Sequence, residues 1–144
     1  MNIHPARHTD LPAVRELLET ERLPASDLDE RALERFLIWR DESRVSGTIG
    51  LELYAEVAFL RSLVVARHAR GHGVGAALTQ AAEKLAVDCG VRDLYLLTMT
   101  AEHFFSARGY RKIDRAQAPQ SIQGTSQFSG LCPSSAVLMM KQLR

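Results

Sequence analysis

Residues 57–90 read VAFLRSLVVARHARGHGVGAALTQAAEKLAVDCG. Val57 to Ala66 is a nearly unbroken apolar run, the pattern of a central strand covered on both faces. Arg70-Gly71-His72-Gly73-Val74-Gly75-Ala76 interrupts it with three alternating glycines. Val74, Ala77, Leu78, Ala81, Ala82, Leu85 and Ala86 then recur at helical spacing, and Gly90 stands where a helix ends. A strand feeding a glycine turn that opens a helix aims several backbone N–H groups at one point, beside the positive end of the helix dipole. Gly71, Gly73 and Gly75 leave the backbone open to a phosphate, and Arg70 adds a permanent cation at the same edge. The loop from Arg70 to Ala76, His72 and Val74 included, is therefore a candidate pyrophosphate cradle. Gly71-x-Gly73-x-x-Ala76 also satisfies the loose dinucleotide fingerprint, but that fingerprint follows the first strand of repeated βα units. Here the loop sits in mid-chain.

Working outward, residues 2–6 form a short strand, and Thr9 or Asp10 caps a helix carrying Leu11, Val14, Leu17 and Leu18. Ser26 is expected to open a second helix. Phe36–Arg40, Val45–Tyr54 and Val57–Ala66 read as an antiparallel meander. Beyond Gly90 come a strand at 93–98, a short helix from about Ala101 to Arg108, a strand from Tyr110, a polar helix or loop at 119–128 and a last strand near 136–141. The class is mixed α/β, or α+β, with a mostly antiparallel central sheet flanked by helices.

The 144 residues allow one domain spanning 1–144. Eighteen Lys and Arg against seventeen Asp and Glu give a net charge of +1, without the basic excess that nucleic-acid binding demands. No segment has the length and apolarity of a membrane span or of a secretory h-region, so a cytoplasmic protein is expected. Cys89 and Cys132 lie at no metal-ligand spacing and are expected as thiols, and no metal is expected.

Arg70, Gly73 and Gly75 match the Gln/Arg-x-x-Gly-x-Gly/Ala signature of the GCN5-related N-acetyltransferases (GNAT), and the chain resembles that family from about Ile3 to Leu143. The resemblance implies the GNAT fold and acetyl-CoA as co-substrate, with loop amides on its pyrophosphate and backbone groups of the Leu63-Val64-Val65 strand along the pantetheine arm. A second family segment corresponds to Thr98, Ala101, Phe104, Phe105, Gly109 and Tyr110. Thr98 stands where the family often has a cofactor-binding Asn, and Phe105 where a Tyr often protonates the departing thiolate. Thr98, His103, Phe105, Arg108 and Gly109 are similar to the acetyltransferase domain of N-acetylglutamate synthases. The tail Leu131-Cys132-Pro133-Ser134-Ser135-Ala136-Val137 resembles small acetyltransferases encoded beside arsenic-resistance genes. These likenesses imply that Phe104, Phe105 and Arg108 border the cofactor, and that the acceptor is a small acidic amino acid or a toxic analogue such as an arsenical. A homodimer is a further implication.

Acetyl transfer to an amine needs a deprotonated acceptor, a polarised thioester carbonyl and a thiolate able to leave. Glu52, acting through water, and His103, an imidazole of the kind suited to proton transfer, are the candidate proton carriers. Strand alternation puts Arg61 on the face of Leu63 and Val65. A buried Arg needs an anion, which is either a structural Asp or Glu or the carboxylate of the acceptor. Thr98, Thr100 and Ser135 are further candidate acceptor contacts. A cationic acceptor, such as a polyamine or a protein amino terminus, would instead want an acidic site. A non-catalytic acyl-CoA sensor is the alternative that Phe105 raises.

Overall fold

The computed structural model describes residues 2–132 and 134–143, so Pro133 of the tail motif lies outside the described residues. The elements run β1 (Ile3–Pro5), α1 (Leu11–Thr20), β2 (Phe36–Asp41), β3 (Arg44–Tyr54), β4 (Val57–Val65), α2 (Val74–Asp88), β5 (Asp93–Thr98), α3 (Glu102–Ser106), β6 (Arg111–Ile113), α4 (Gln120–Gln123) and β7 (Val137–Gln142). Seven strands are ordered β1-β2-β3-β4-β5-β7-β6. The β1/β2, β2/β3, β5/β7 and β6/β7 pairs are antiparallel and β4/β5 is parallel, which makes the mixed, mostly antiparallel sheet expected from the sequence.

Packing divides the chain into two compact units: Met1–Glu52 with Leu60–Leu85, and Leu53–Phe59 with Ala86–Arg144. In the first, Val14 and Leu18 of α1 are fully buried against Phe36 and Ile38 of β2 and Val64 of β4, with Leu28 and Leu33 closing the cluster. The Phe36 ring lies directly over Gly50, where an added Cβ would come within 2.3 Å of it, so only glycine lets the ring approach. Gly47 instead abuts Leu78 and Val74 of α2. In the second unit, Phe59, Tyr95, Leu138 and Met140 from three strands bury Ile122 of α4 and Ala118.

Two expectations fail locally. Ser26 opens no α-helix; the stretch turns, and only Ala32–Arg35 coil, as a 3-10 segment. The Asp29 carboxylate accepts the Ala32 N–H at 2.8 Å and so starts the coil late. The Leu28 carbonyl accepts from the Arg15 guanidinium instead of from the backbone one turn on. The alternation of β4 also breaks: Ser62 takes φ +60°, a left-handed residue inside a strand, and the side-chain parity switches there. Arg61 consequently sits over the Phe36 ring, 5.8 Å from its centroid, on the side where Val64 joins the same apolar cluster. It does not share the face of Leu63 and Val65.

Both ends of α1 are tied. At its start Asp10 accepts the Arg7 N–H at 2.8 Å and the Arg40 guanidinium at 2.9 Å. Burial opposes the charge of Asp10, but these bonds and the two arginines hold its carboxyl below the ordinary 3.8. A carboxylate whose pKa is depressed by folding adds stability above its unfolded pKa, and that stability is lost as pH falls through the folded value. Asp10→Asn is therefore expected to lower the unfolding free energy by about 1–3 kcal/mol at pH 7. Urea titrations of both proteins should show the difference shrinking below about pH 4; a pH-independent difference would contradict the charge-based account.

Candidate functional site

The first unit carries the glycine loop. Gly71 and Gly73 take φ +82° and +78°, and a Cβ at either would meet nothing within 4 Å, so the backbone there is open to an approaching group. The Ala77 N–H bonds back to the Gly73 carbonyl, which makes Gly73 the residue before the first turn of α2. The N–H groups of Val74, Gly75 and Ala76 consequently have no carbonyl one turn earlier in the helix. The fifteen residues of α2 align their dipoles behind that end, and its first turn contains no acid. This arrangement fits a doubly charged phosphate ester.

Arg70 is not aimed at open solvent from this loop. Its Nε donates to the Val65 carbonyl at 2.8 Å and its Nη2 to Glu21 at 2.7 Å. The Arg70 hydrogen bond, helped by the charges of Arg70 and Arg67 and opposed by desolvation, holds the Glu21 carboxyl below its ordinary value. One lone pair of the Val65 carbonyl, a group the family resemblance puts against the pantetheine arm, is thus taken by the chain's own side chain.

Three residues upstream of Val64 lies the buried charge. Arg61 is 5% exposed and is held by Asp27 through both Nη atoms, at 2.5 and 2.8 Å. Glu52 accepts from Nη1 at 2.9 Å and Ser62 Oγ from Nε at 2.9 Å. Desolvation works against the cation, but the hydrogen bonds and charges of Asp27 and Glu52 hold its pKa above the ordinary guanidinium value. Of the two anions open in the sequence, the structural carboxylate is the one present, supplied twice. Asp27 was missed because it falls in the stretch expected to be helical.

In the second unit the remaining candidates are spread along β5, α3 and the approach to β7. Thr98 Oγ1 accepts the Ala101 N–H at 2.9 Å and so caps the turn into α3. Thr100 and His103 are exposed. Phe105 is buried, edge-on to Phe104 and Tyr110 with centroids 5.1 and 5.4 Å away. The Arg108 guanidinium stacks on Phe104 at 3.8 Å and donates to its carbonyl at 2.8 Å. Ser135 Oγ lies 3.6 Å from Met99 Sδ. Cys132 Sγ–H donates to Gln127 Oε1, and Cys89 is an exposed thiol. Among the described residues no three His, Cys, Asp or Glu side chains group as metal ligands would, and no helix is long and apolar enough to cross a membrane.

Arg61→Ala leaves Asp27 and Glu52 facing each other without their cation. The loss is expected at about 3 kcal/mol of unfolding free energy, toward the low end for a broken buried ion pair because both carboxylates keep some water. Urea denaturation followed by circular dichroism measures it, and a loss below about 1 kcal/mol would place the cluster among surface pairs.

Comparison with known proteins agrees with the loop and the strand order. A curated relative, an uncharacterized N-acetyltransferase of Chlorobaculum tepidum, is 31% identical over 88 residues, covering 60% of this chain and 56% of its own length. The chain thus spans about half of that relative. N-acetylglutamate synthase from Neisseria gonorrhoeae, complexed with coenzyme A and N-acetyl-glutamate, superposes with a TM-score of 0.85 at 19% identity, over 99% of this chain and 35% of the other. Rv2747 from Mycobacterium tuberculosis, in complex with CoA, gives 0.82 at 20% identity over 99% of both chains. At these identities the two structures establish the shared fold. The sequence profile of the acetyltransferase (GNAT) family matches residues 3–112, well over half of the chain, and reaches from β1 past the glycine loop and α3 into β6; the chain belongs to that family.

Proposed function

We propose that the protein is an acetyl-CoA-dependent N-acetyltransferase whose acceptor is the amino group of a small acidic amino acid or a toxic analogue of one, arsenical analogues of glutamate included. The observation that carries the cofactor reading is the loop at the start of α2: two glycines at positive φ with open space around them, followed by three helix-start N–H groups. Gly71, Gly73, Val74, Gly75 and Ala76 would hold the pyrophosphate through backbone amides. The Leu63, Val64 and Val65 backbone would lie along the thioester arm, as the family resemblance implies. The acceptor class is supported by the fold shared with a synthase complexed with N-acetyl-glutamate.

The transfer requires the amine nitrogen to attack the thioester carbonyl. A C–N bond forms as the C–S bond breaks, the amine gives up a proton and the thiolate takes one up. Glu52 retains a side-chain exposure of 23%, enough for a water-mediated role as base, although Arg61 shares one of its oxygens. In the second unit, exposed His103 is the other titratable candidate. Phe105 provides no proton, so thiolate protonation falls to water or a hydroxyl, and Phe105→Tyr should leave activity in place.

A second reading is favoured by one specific observation. Asp27 and Glu52 outnumber Arg61, so their cluster carries one excess negative charge, which draws a cationic amine and repels a carboxylate. A polyamine or a protein amino terminus then replaces the acidic acceptor. Acetyl-CoA-dependent thiol release decides, measured against glutamate, aspartate, glutamate analogues with arsenic or phosphorus head groups, spermidine and a peptide amino terminus. Turnover confined to the acidic compounds is the expected result. Turnover of spermidine or the peptide alone establishes the second reading, and CoA binding without turnover of any amine indicates an acyl-CoA sensor.

A further inference from the structure

Helix α1 ends with an acid in the wrong place for its own stability. The Arg22 N–H bonds to the Glu19 carbonyl and the Leu23 N–H to the Leu18 carbonyl, with Arg22 at φ +60°, so the end is a Schellman turn and Glu21 is its cap residue. A carboxylate there meets the negative end of the dipole, and the last turn of α1 contains no basic residue to offset it. What Glu21 meets instead is the cofactor loop: Arg70 Nη2 at 2.7 Å and Arg67 Nε at 3.8 Å. Glu21 is 16% exposed, whereas Arg70 is 47% and Arg67 84% exposed, so the acid is the anchored partner and the arginines reach to it.

Arg70 is thereby held at two points, Nε on the Val65 carbonyl and Nη2 on Glu21. Guanidinium has five N–H donors in a rigid plane. With these two committed, Nη1 and the second Nη2 hydrogen are left, the pair of donors that can grip a phosphate with two parallel bonds. A long side chain fixed before binding loses little conformational entropy on binding.

We infer that Glu21 is a positioning residue for the acetyl-CoA pyrophosphate: it fixes Arg70 so that the remaining guanidinium donors are presented to the phosphates of the glycine loop. The inference rests on the acetyl-CoA reading above.

Calorimetric titration of CoA, without any acceptor, tests it on the wild type, Glu21→Ala, Glu21→Gln, Arg70→Ala and the Glu21→Ala/Arg70→Ala double variant. Glu21→Ala should weaken CoA binding about fivefold, the cost of immobilising one long side chain on binding. Glu21→Gln, which keeps an acceptor oxygen without the charge, should fall between. In the Arg70→Ala background the Glu21 substitution should have no further effect, whereas a general loosening of α1 would weaken both backgrounds alike. Equal or tighter binding by Glu21→Ala overturns the inference, as does an additive double variant. Absence of CoA binding by the wild type overturns the acetyl-CoA reading itself, and the inference with it.

Discussion

A guanidinium taken out of water has to be given anions, and the first unit is arranged around supplying them to Arg61. Its desolvation costs several kcal/mol, which Asp27 and Glu52 offset only if both are held close. Asp27 lies in the segment after α1, Glu52 at the end of the first-unit part of β3, and Arg61 in β4. Satisfying one charge therefore fastens the segment after α1, 34 residues from Arg61, to two consecutive strands. It also explains why the residues after Ser26 turn instead of coiling: Asp27 and the buried Leu28 are tied at places a regular helix would not put them.

The same segment begins at Glu21, which holds Arg70, and runs to Asp27, which holds Arg61. Two acids six residues apart thus face two arginines nine residues apart, one at the glycine loop and one beside the left-handed Ser62. The Arg70 pair, nearly half exposed on the arginine side, contributes little by itself, and its use is geometric. It removes the freedom of a long side chain at the loop that the family uses for its co-substrate.

Much of this was legible beforehand. The run from Val57 to Gly90 identifies a strand, a glycine turn and a helix because each obeys a local rule: apolar continuity, freedom at positive φ, and 3.6-residue periodicity. The structure places Gly71, Gly73 and Gly90 at positive φ as those rules require. The face of Arg61 was not legible, since it depends on Ser62 adopting a left-handed conformation that serine seldom takes and no neighbouring residue announces. Nor was Glu21, although an acid at the end of a helix with no basic residue in its last turn is a local misfit and could have flagged it.

By itself the sequence determines the order of elements apart from the helix expected at Ser26, the position of the phosphate-type loop and the motifs of the GNAT family, because short-range sterics and hydrophobic period act within a few residues. The tertiary structure alone decides what the charged side chains do. Arg61, Arg70, Glu52, Asp27 and Glu21 all have several possible partners along the chain, and desolvation together with the left-handed turn of β4 at Ser62 selects among them. A charge interacts with whatever is nearest in space, and distance in space becomes known only when the chain has folded.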